Sequence, residues 1–314
     1  MVQFRILGPV EVRRSADRIT INGSKLHTVL TALLLSEGRV VADSQLSMLL
    51  WGWDPPATAG AQIYSYISRL RKCLAPEVEI ERRQPGYVLH LGREELDYHY
   101  FMQLSHRGRG ELDGRLYQRA ANTFREALAL WRGPALSTVT EFMVDLEQPR
   151  LQEAWLAALE ARVEADQAVG RHRELLAELF QLVHEHPVHE PFRVHLMIAL
   201  YRCDRRADAI AAYHEGRRIL SEELGIDAGQ AMRSAFQTIL EGRLSPRPGL
   251  VASEPPALPS VEEAMRSMLG RSMLAEEVLG SLVAAKLIQP TRHGADGQVR
   301  YELRGRAALA AGSG

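Results

Sequence analysis

Apolar and polar residues alternate from the first positions of the chain. In "VQFRILGPVEVRR" and "RITING" the alternation has a period of two, which predicts short strands with a turn around Ala16-Asp17. The period then changes. In "SKLHTVLTALLLSEG", Leu26, Val29, Leu30, Leu33 and Leu34 fall on one helical face, with Ser24 as the expected N-cap and Gly38 as the stop. "VADSQLSMLLWG" predicts a shorter helix, capped by Asp43 or Ser44 and ended by Gly52. The loop "GWDPPATAG" holds two adjacent prolines and cannot continue it. "AQIYSYISRLRKCL" predicts a third helix, and "EVEIERRQPGYVLHL" a hairpin turning at Gln84-Pro85-Gly86. Strands, three helices and a terminal hairpin make a winged helix-turn-helix with an added N-terminal sheet, here residues 1–96.

Beyond Asp97 the pattern is helical throughout. Segments near 115–131, 147–169, 172–186, 190–203, 206–223 and 228–242 carry it. Gly170 and Asp204 separate helices at a spacing of 34 residues, and in that register Leu175 matches Ala209 and Leu179 matches Tyr213. A helix-turn-helix period of that length is the tetratricopeptide signature. Residues 97–243 are therefore expected to form an all-α, tetratricopeptide-like domain. The segment 244–260 contains five prolines and reads as an extended linker. From 261 to 314, two helical patterns ("VEEAMRSML", "MLAEEVLGSLVAAKL") precede a hairpin of "LIQP" and "VRYEL", a small C-terminal α/β unit. The chain as a whole is expected to be mostly α with small β parts.

Composition adds less than distribution does. Net charge is −1, with no polyelectrolyte signature, and 46% hydrophobic and 25% charged residues are ordinary for a globular chain. No apolar run is long enough for a membrane span, and no secretory signal opens the chain. Cys73 and Cys203 make no disulfide framework, which fits a reducing cytoplasm. Phosphate-binding glycine motifs and the nucleophile elbow are missing, so neither nucleotide binding nor acyl transfer has support. His184, His186, His189 and His195 cluster, but Pro187 and Pro191 interrupt them and no metal-site spacing occurs, so neither metal nor cofactor is expected.

One window departs from the mean. From Pro55 to Pro76 there is no acid, while Arg69, Arg71 and Lys72 lie inside it. On a helix at 3.6 residues per turn, Ile63, Ile67, Leu70 and Leu74 share the core face. The opposite face carries Ser65, Ser68, Arg69 and Lys72, with Thr58 and Gln62 one or two turns earlier; Tyr64, Tyr66 and Arg71 flank it. Small polar residues let a helix sit deep in the major groove, arginine reads guanine bidentately, and hydroxyls and cations hold phosphates. Arg82-Arg83 lead into the hairpin turn, where a wing arginine reaches the minor groove. The bland reading is a solvated helix with a basic C-terminal end; a tetratricopeptide scaffold with a degenerate winged helix, or a ligand-responsive regulator, are the rival functions.

The stretches "FRILGPVEV", "LWG", "PPATA", "YSYISRLRKCL", "QPGYVLHL", "DYHYFMQL" and "FREALALWRGPAL", with the helical run to about 242, resemble the antibiotic regulatory protein family of actinobacteria, the SARP transcriptional activators. The resemblance implies a winged helix of the response-regulator output type followed by a bacterial transcriptional activation domain. It implies binding, as a homodimer, to direct repeats in double-stranded promoter DNA, with recruitment of RNA polymerase holoenzyme through its sigma factor, generally at secondary-metabolite clusters. The place of action would be the cytoplasm, at the nucleoid. By resemblance, residues 58–74 are the recognition helix. Tyr64, Ser65, Ser68 and Arg69 would face bases. Tyr66, Arg71, Lys72 and Trp51 would hold phosphates, Arg83 would be the wing residue, and loop 51–57 would touch polymerase. Larger relatives continue into an ATPase; here that phosphate-binding motif is missing, and "LGSLVAAKLIQPTRHGADGQVRYEL" resembles the small winged-helix part that follows it.

Overall fold

The computed structural model describes residues 2–15, 17–91, 95–243, 288–291 and 300–303. The chain divides into two units, Met1–Pro246 and Arg247–Gly314. In the first, β1 (Val2–Arg5), β2 (Glu11–Arg14) and β3 (Asp17–Ile19) lead into α1 (Ser24–Leu35), β4 (Val41–Ala42), α2 (Asp43–Trp51) and α3 (Ala59–Leu74). Then come β5 (Glu79–Arg83), β6 (Gly86–His90) and β7 (Glu95–Leu96). Helices follow: α4 (Asp97–Asp113), α5 (Tyr117–Leu128), α6 (Glu141–Val169), α7 (His172–Glu185), α8 (Glu190–Arg202), α9 (Arg206–Leu224) and α10 (Gln230–Leu240). In the second unit β8 (Ile288–Thr291) pairs antiparallel with β9 (Arg300–Leu303). The expected linker and the two expected helices between 244 and 287 lie outside the described residues.

The N-terminal sheet has the order β3-β2-β1-β7. β7 runs parallel to β1, pairing Gln3 with Glu95 and Phe4 with Leu96, and so returns the chain to its own beginning. Asp97, the first residue of α4, fastens this junction. Its carboxylate accepts the Ile6 N–H at 2.9 and 3.0 Å and the Leu7 N–H at 3.1 Å. Burial pushes the Asp97 carboxyl above its ordinary range, against the pull of these N–H donors.

The winged helix is built on its own three-stranded sheet, β4-β6-β5. β4 pairs Val41 with Tyr87 and Ala42 with Gly86. Gly86 is required there, because a Cβ would fall 1.8 Å from the Val41 carbonyl oxygen. Two caps differ from expectation. α1 begins at Ser24 with Gly23 as its N-cap, at φ 104°, and α2 begins at Asp43 with Ala42 as its N-cap. α3 begins two residues earlier than its apolar pattern, at Ala59 after Thr58.

One buried core runs from Val2 through the winged helix and on to α4, α5 and Ala165 of α6; a second joins α6 to α10. α4 was not among the expected helical segments, and the segment expected at 115–131 is α5, ending at Leu128. α6 starts at Glu141 rather than 147 and carries Pro149 inside it. The 34-residue register holds. Gly170 and Asp204 both adopt left-handed backbone, at φ 93° and 60°. Leu175, Ala209, Leu179 and Tyr213 are all buried. α7-α8 and α9-α10 are thus successive helix pairs, which stack as repeat units do. Where α8 crosses α9, the Arg193 side chain lies on Gly216, at which any Cβ would meet its Cδ at 2.0 Å.

Candidate nucleic-acid interface

α3 presents the face that its periodicity predicts. Ile63, Ile67, Leu70 and Leu74 are buried at 2% or less. Ser65, Ser68, Arg69 and Lys72 are exposed, and Tyr64 is 65% exposed. Arg71 and Lys72 occupy the last turn, where the helix dipole favours cations. The base-facing set assigned by resemblance therefore lies together on one open face, with Lys72 one turn beyond Ser68.

The flanking residues divide. Tyr66 is half-buried; its hydroxyl donates to Gln62 Oε1 at 3.2 Å, and Gln62 Nε2 donates to Thr58 Oγ1 at 3.0 Å. Spacing of four residues puts the three in one row along the helix, a hydroxyl at each end. Arg71 turns toward the wing, its Nε donating to the Ile80 carbonyl at 2.8 Å. That bond ties α3 to β5 and gives Arg71 a structural duty besides any phosphate contact. Trp51 is half-buried, with Lys25 Nζ 4.8 Å from its ring centroid. Lys25, from α1, adds a cation that the linear reading did not single out; helical period alone does not bring it beside Trp51.

The two wing arginines do different things. Arg82 is bidentate on Asp43, at 2.7 and 2.6 Å, and lies 4.5 Å over the Tyr87 ring. This clamps β5 to the start of α2, and the hydrogen bonds hold the Arg82 guanidinium strongly in its charged form. Arg83 is 56% exposed in its side chain and pairs with Glu81 at 3.1 Å. Glu81 also takes His90 at 3.2 Å, and these two partners, His90 first, hold its carboxyl below the usual range. An exposed pair of this kind is weak and screened by salt, so a phosphate competes with it readily. Loop 51–57 leaves Trp53 87% exposed. At the far end of α3, Arg14 Nη2 donates to the Ala75 carbonyl at 3.0 Å and to Glu77 at 2.9 Å, bracing the helix against the N-terminal sheet.

Among the described residues no cluster of three or more His, Cys, Asp or Glu has metal-site geometry, and no helix is long and apolar enough to cross a membrane. Burial holds His195 down at about 4, hence neutral at pH 7, with Nδ1 2.9 Å from Gln167 Oε1. The histidine cluster is therefore partly packing material: His186 and His189 pack at a tilt against Phe192, with ring centroids 5.8 and 4.3 Å away.

A basic, acid-free helix packed before a wing, continuing into a stack of helix pairs, defines a winged-helix regulator joined to a helical activation domain. The comparisons agree with that class. Residues 21–89 match the family described as transcriptional regulatory protein, C terminal, and residues 96–240 match the bacterial transcriptional activator domain. The regulatory protein DnrI of Streptomyces peucetius is 34% identical over 83% of this chain and 99% of its own length. The regulatory protein AfsR of Streptomyces griseus is 32% identical over 99% of this chain, which spans 35% of AfsR. A solved structure of Mycobacterium tuberculosis EmbR, in complex with a low affinity phosphopeptide, superposes with a TM-score of 0.73 at 27% identity, covering 96% of this chain and 78% of that one. The chain belongs to the SARP family of transcriptional regulators.

Proposed function

We propose that this protein is a sequence-specific activator that binds promoter DNA through α3 and the β5-β6 wing. One observation carries the reading: the exposed face of α3 is small, polar and basic inside a 22-residue window with no acid. Tyr64, Ser65, Ser68 and Arg69 read base edges in the major groove. Thr58, Gln62, Tyr66, Arg71, Lys72 and Trp51 set the helix on the phosphates, and Arg83 enters the adjacent minor groove. Residues 1–96 bind DNA. Residues 97–243 are the platform for homodimer packing and polymerase contact, joined by linker 244–260 to the unit at 261–314. Two copies occupy direct repeats about one helical turn apart, so that both recognition helices address one face of the duplex. The protein acts without enzymatic turnover or cofactor, in the cytoplasm at the nucleoid, on genes for an antibiotic or other secondary metabolite.

DNase footprinting on the promoters that flank its gene tests this. Protection of two short repeats in one promoter, lost as salt rises, is the expected result. Uniform weak protection without a preferred site would overturn it.

A further inference from the structure

β2 and β3 pair over three residues, Val12 with Ile19, Arg13 with Arg18 and Arg14 with Asp17, and then part. β2 stays on β1, pairing Glu11 with Arg5, while residues 20–22 turn away to the start of α1. Between the parted segments lies a cleft of about 340 Å³, walled by residues 10–12 on one side and 18–22 on the other, with His27 of α1. That volume is in the range of small-molecule sites, roughly 300–1,000 Å³. None of the residues assigned to DNA lines it.

The lining mixes apolar walls with a few polar groups, as ligand sites do. Val10, Val12 and Ile21 are buried and Ile19 is half-buried, whereas Arg18, Thr20 and Asn22 are exposed. Among the described residues, the Thr20 hydroxyl and the Asn22 side-chain amide have no hydrogen-bond partner. One cation is exchangeable. Arg18 Nη1 stands 3.5 Å from Glu11 Oε1, with the Arg18 side chain 64% exposed, and the other oxygen of Glu11 is 3.4 Å from Arg132. A long, exposed pair of this kind contributes little. A carboxylate entering the cleft takes two N–H groups of Arg18 in a planar bidentate pair, the stronger arrangement, and Glu11 keeps Arg132. Asp17, the acid beside Arg18 in sequence, falls on the opposite face of β3. An ammonium group would meet Arg18 itself and gain only a carboxylate already shared.

We infer that this cleft binds a small carboxylate with an apolar body. Arg18, Thr20 and Asn22 hold the carboxylate, and the body lies against the valines and isoleucines of the two walls. Both walls are fastened to the loop between α5 and α6. The Ile21 carbonyl oxygen is 2.8 Å from His27 Nε2, and Nδ1 of the same ring is 3.2 Å from the Thr138 carbonyl oxygen. On the other wall the Val10 N–H donates to Thr138 Oγ1 at 3.0 Å. Two residues on, the Thr140 N–H donates to Thr28 Oγ1 at 2.9 Å and its hydroxyl donates to the Leu49 carbonyl, so the same loop also grips α1 and α2. A ligand that holds the two walls together therefore tightens the joint between the winged helix and the helical domain. The inference does not depend on the activator reading.

Isothermal titration of the full chain with phenylacetate and octanoate tests this, with phenylethanol and phenethylamine as neutral and cationic controls. The parent is compared with Arg18→Gln, which removes the cation, and Thr20→Trp, which fills the cleft. Both positions are exposed, so the core is left intact, and a thermal melt confirms folding. Amide hydrogen exchange over residues 136–140 reads the joint. The expected result is carboxylate binding at a roughly millimolar Kd or tighter, as suits ligands of this size. It should exceed binding of the alcohol and the amine about tenfold, weaken about tenfold in Arg18→Gln and vanish in Thr20→Trp. Exchange over 136–140 should slow only where a carboxylate binds. Absence of carboxylate binding by the parent, equal affinity for all four probes, or parent-like binding by Arg18→Gln overturns the site. Binding with unchanged exchange over 136–140 overturns its link to the joint. Failure of the promoter footprint would refute the activator reading and leave this titration standing by itself.

Discussion

Replacing Asp166 by alanine should loosen the joint between the two cores. Asp166 is 1% exposed on α6, and its carboxylate gathers three guanidinium groups: Arg125 of α5 at 2.5 Å, Arg171 at 2.8 Å and Arg162 at 3.1 Å. Arg162, with a side chain 8% exposed, continues to Glu178 of α7 at 2.5 Å. One buried carboxylate thereby connects α5, which packs in the first core, to α7, which packs in the second. Removing one partner of a buried ion pair costs about 3–5 kcal/mol because it strands the other charge. Here the strandedness is partial. Arg125 is 41% exposed and returns to water, and Arg162 keeps Glu178. The low end, about 3 kcal/mol, is therefore the expectation. For a unit of this size that corresponds to a fall in Tm of roughly 6–12 °C. Differential scanning calorimetry measures it, and a shoulder separating the two cores would accompany the shift. Asp166→Asn keeps the shape and an acceptor oxygen and should fall between. A Tm within 2 °C of the parent for Asp166→Ala would refute the claim that this cluster holds the cores together.

Three further outcomes follow from the geometry. Gly86→Ala places a Cβ against the Val41 carbonyl, at 1.8 Å, so β4 and β6 must part; a cost of about 2–3 kcal/mol is expected in a urea melt, at the upper end for overpacking. His195 is held at about 4 in the folded chain against an ordinary 6.5, so its contribution is full above pH 6.5 and is lost as pH falls from there toward 4. That window amounts to at most about 3 kcal/mol, and His195→Gln should flatten the difference in unfolding free energy between pH 7 and pH 4.5; an identical pH slope in parent and variant would contradict it. Arg82→Ala should lower thermal stability by freeing the wing from Asp43, whereas Arg83→Ala should leave the melt unchanged and weaken DNA binding; equal effects in both assays would erase the distinction between the two arginines.

The sequence showed most where one face repeats. The buried face of α3 and the 34-residue register of α7 to α10 were legible because a buried stripe imposes its period on the residues. What was missed depends on partners far along the chain. α4 contains Gly108 and Gly110, both poor helix formers, yet Gly108 is there because the Phe124 ring of α5 approaches to 2.9 Å of its Cβ position. α6 was expected from 147 but starts at Glu141 and runs through Pro149 where the helix is still half solvated. β4 and β7 are two residues each and exist only through their pairing with β6 and β1. At the candidate interface, composition identified the basic face. It could not tell Arg82 from Arg83, or foresee that Arg71 bonds the wing, because those roles are set by Asp43 and Ile80 across the fold.

The measurement that bears most directly on the central claim is a gel-shift titration of Arg69→Ala against the parent, on the footprinted promoter and on a scrambled duplex. Loss of a base contact costs about 1–3 kcal/mol on the true site, roughly 5- to 150-fold in Kd. Non-specific binding should change little. Equal affinity of parent and variant for the promoter would contradict the assignment of the exposed face of α3 to base recognition.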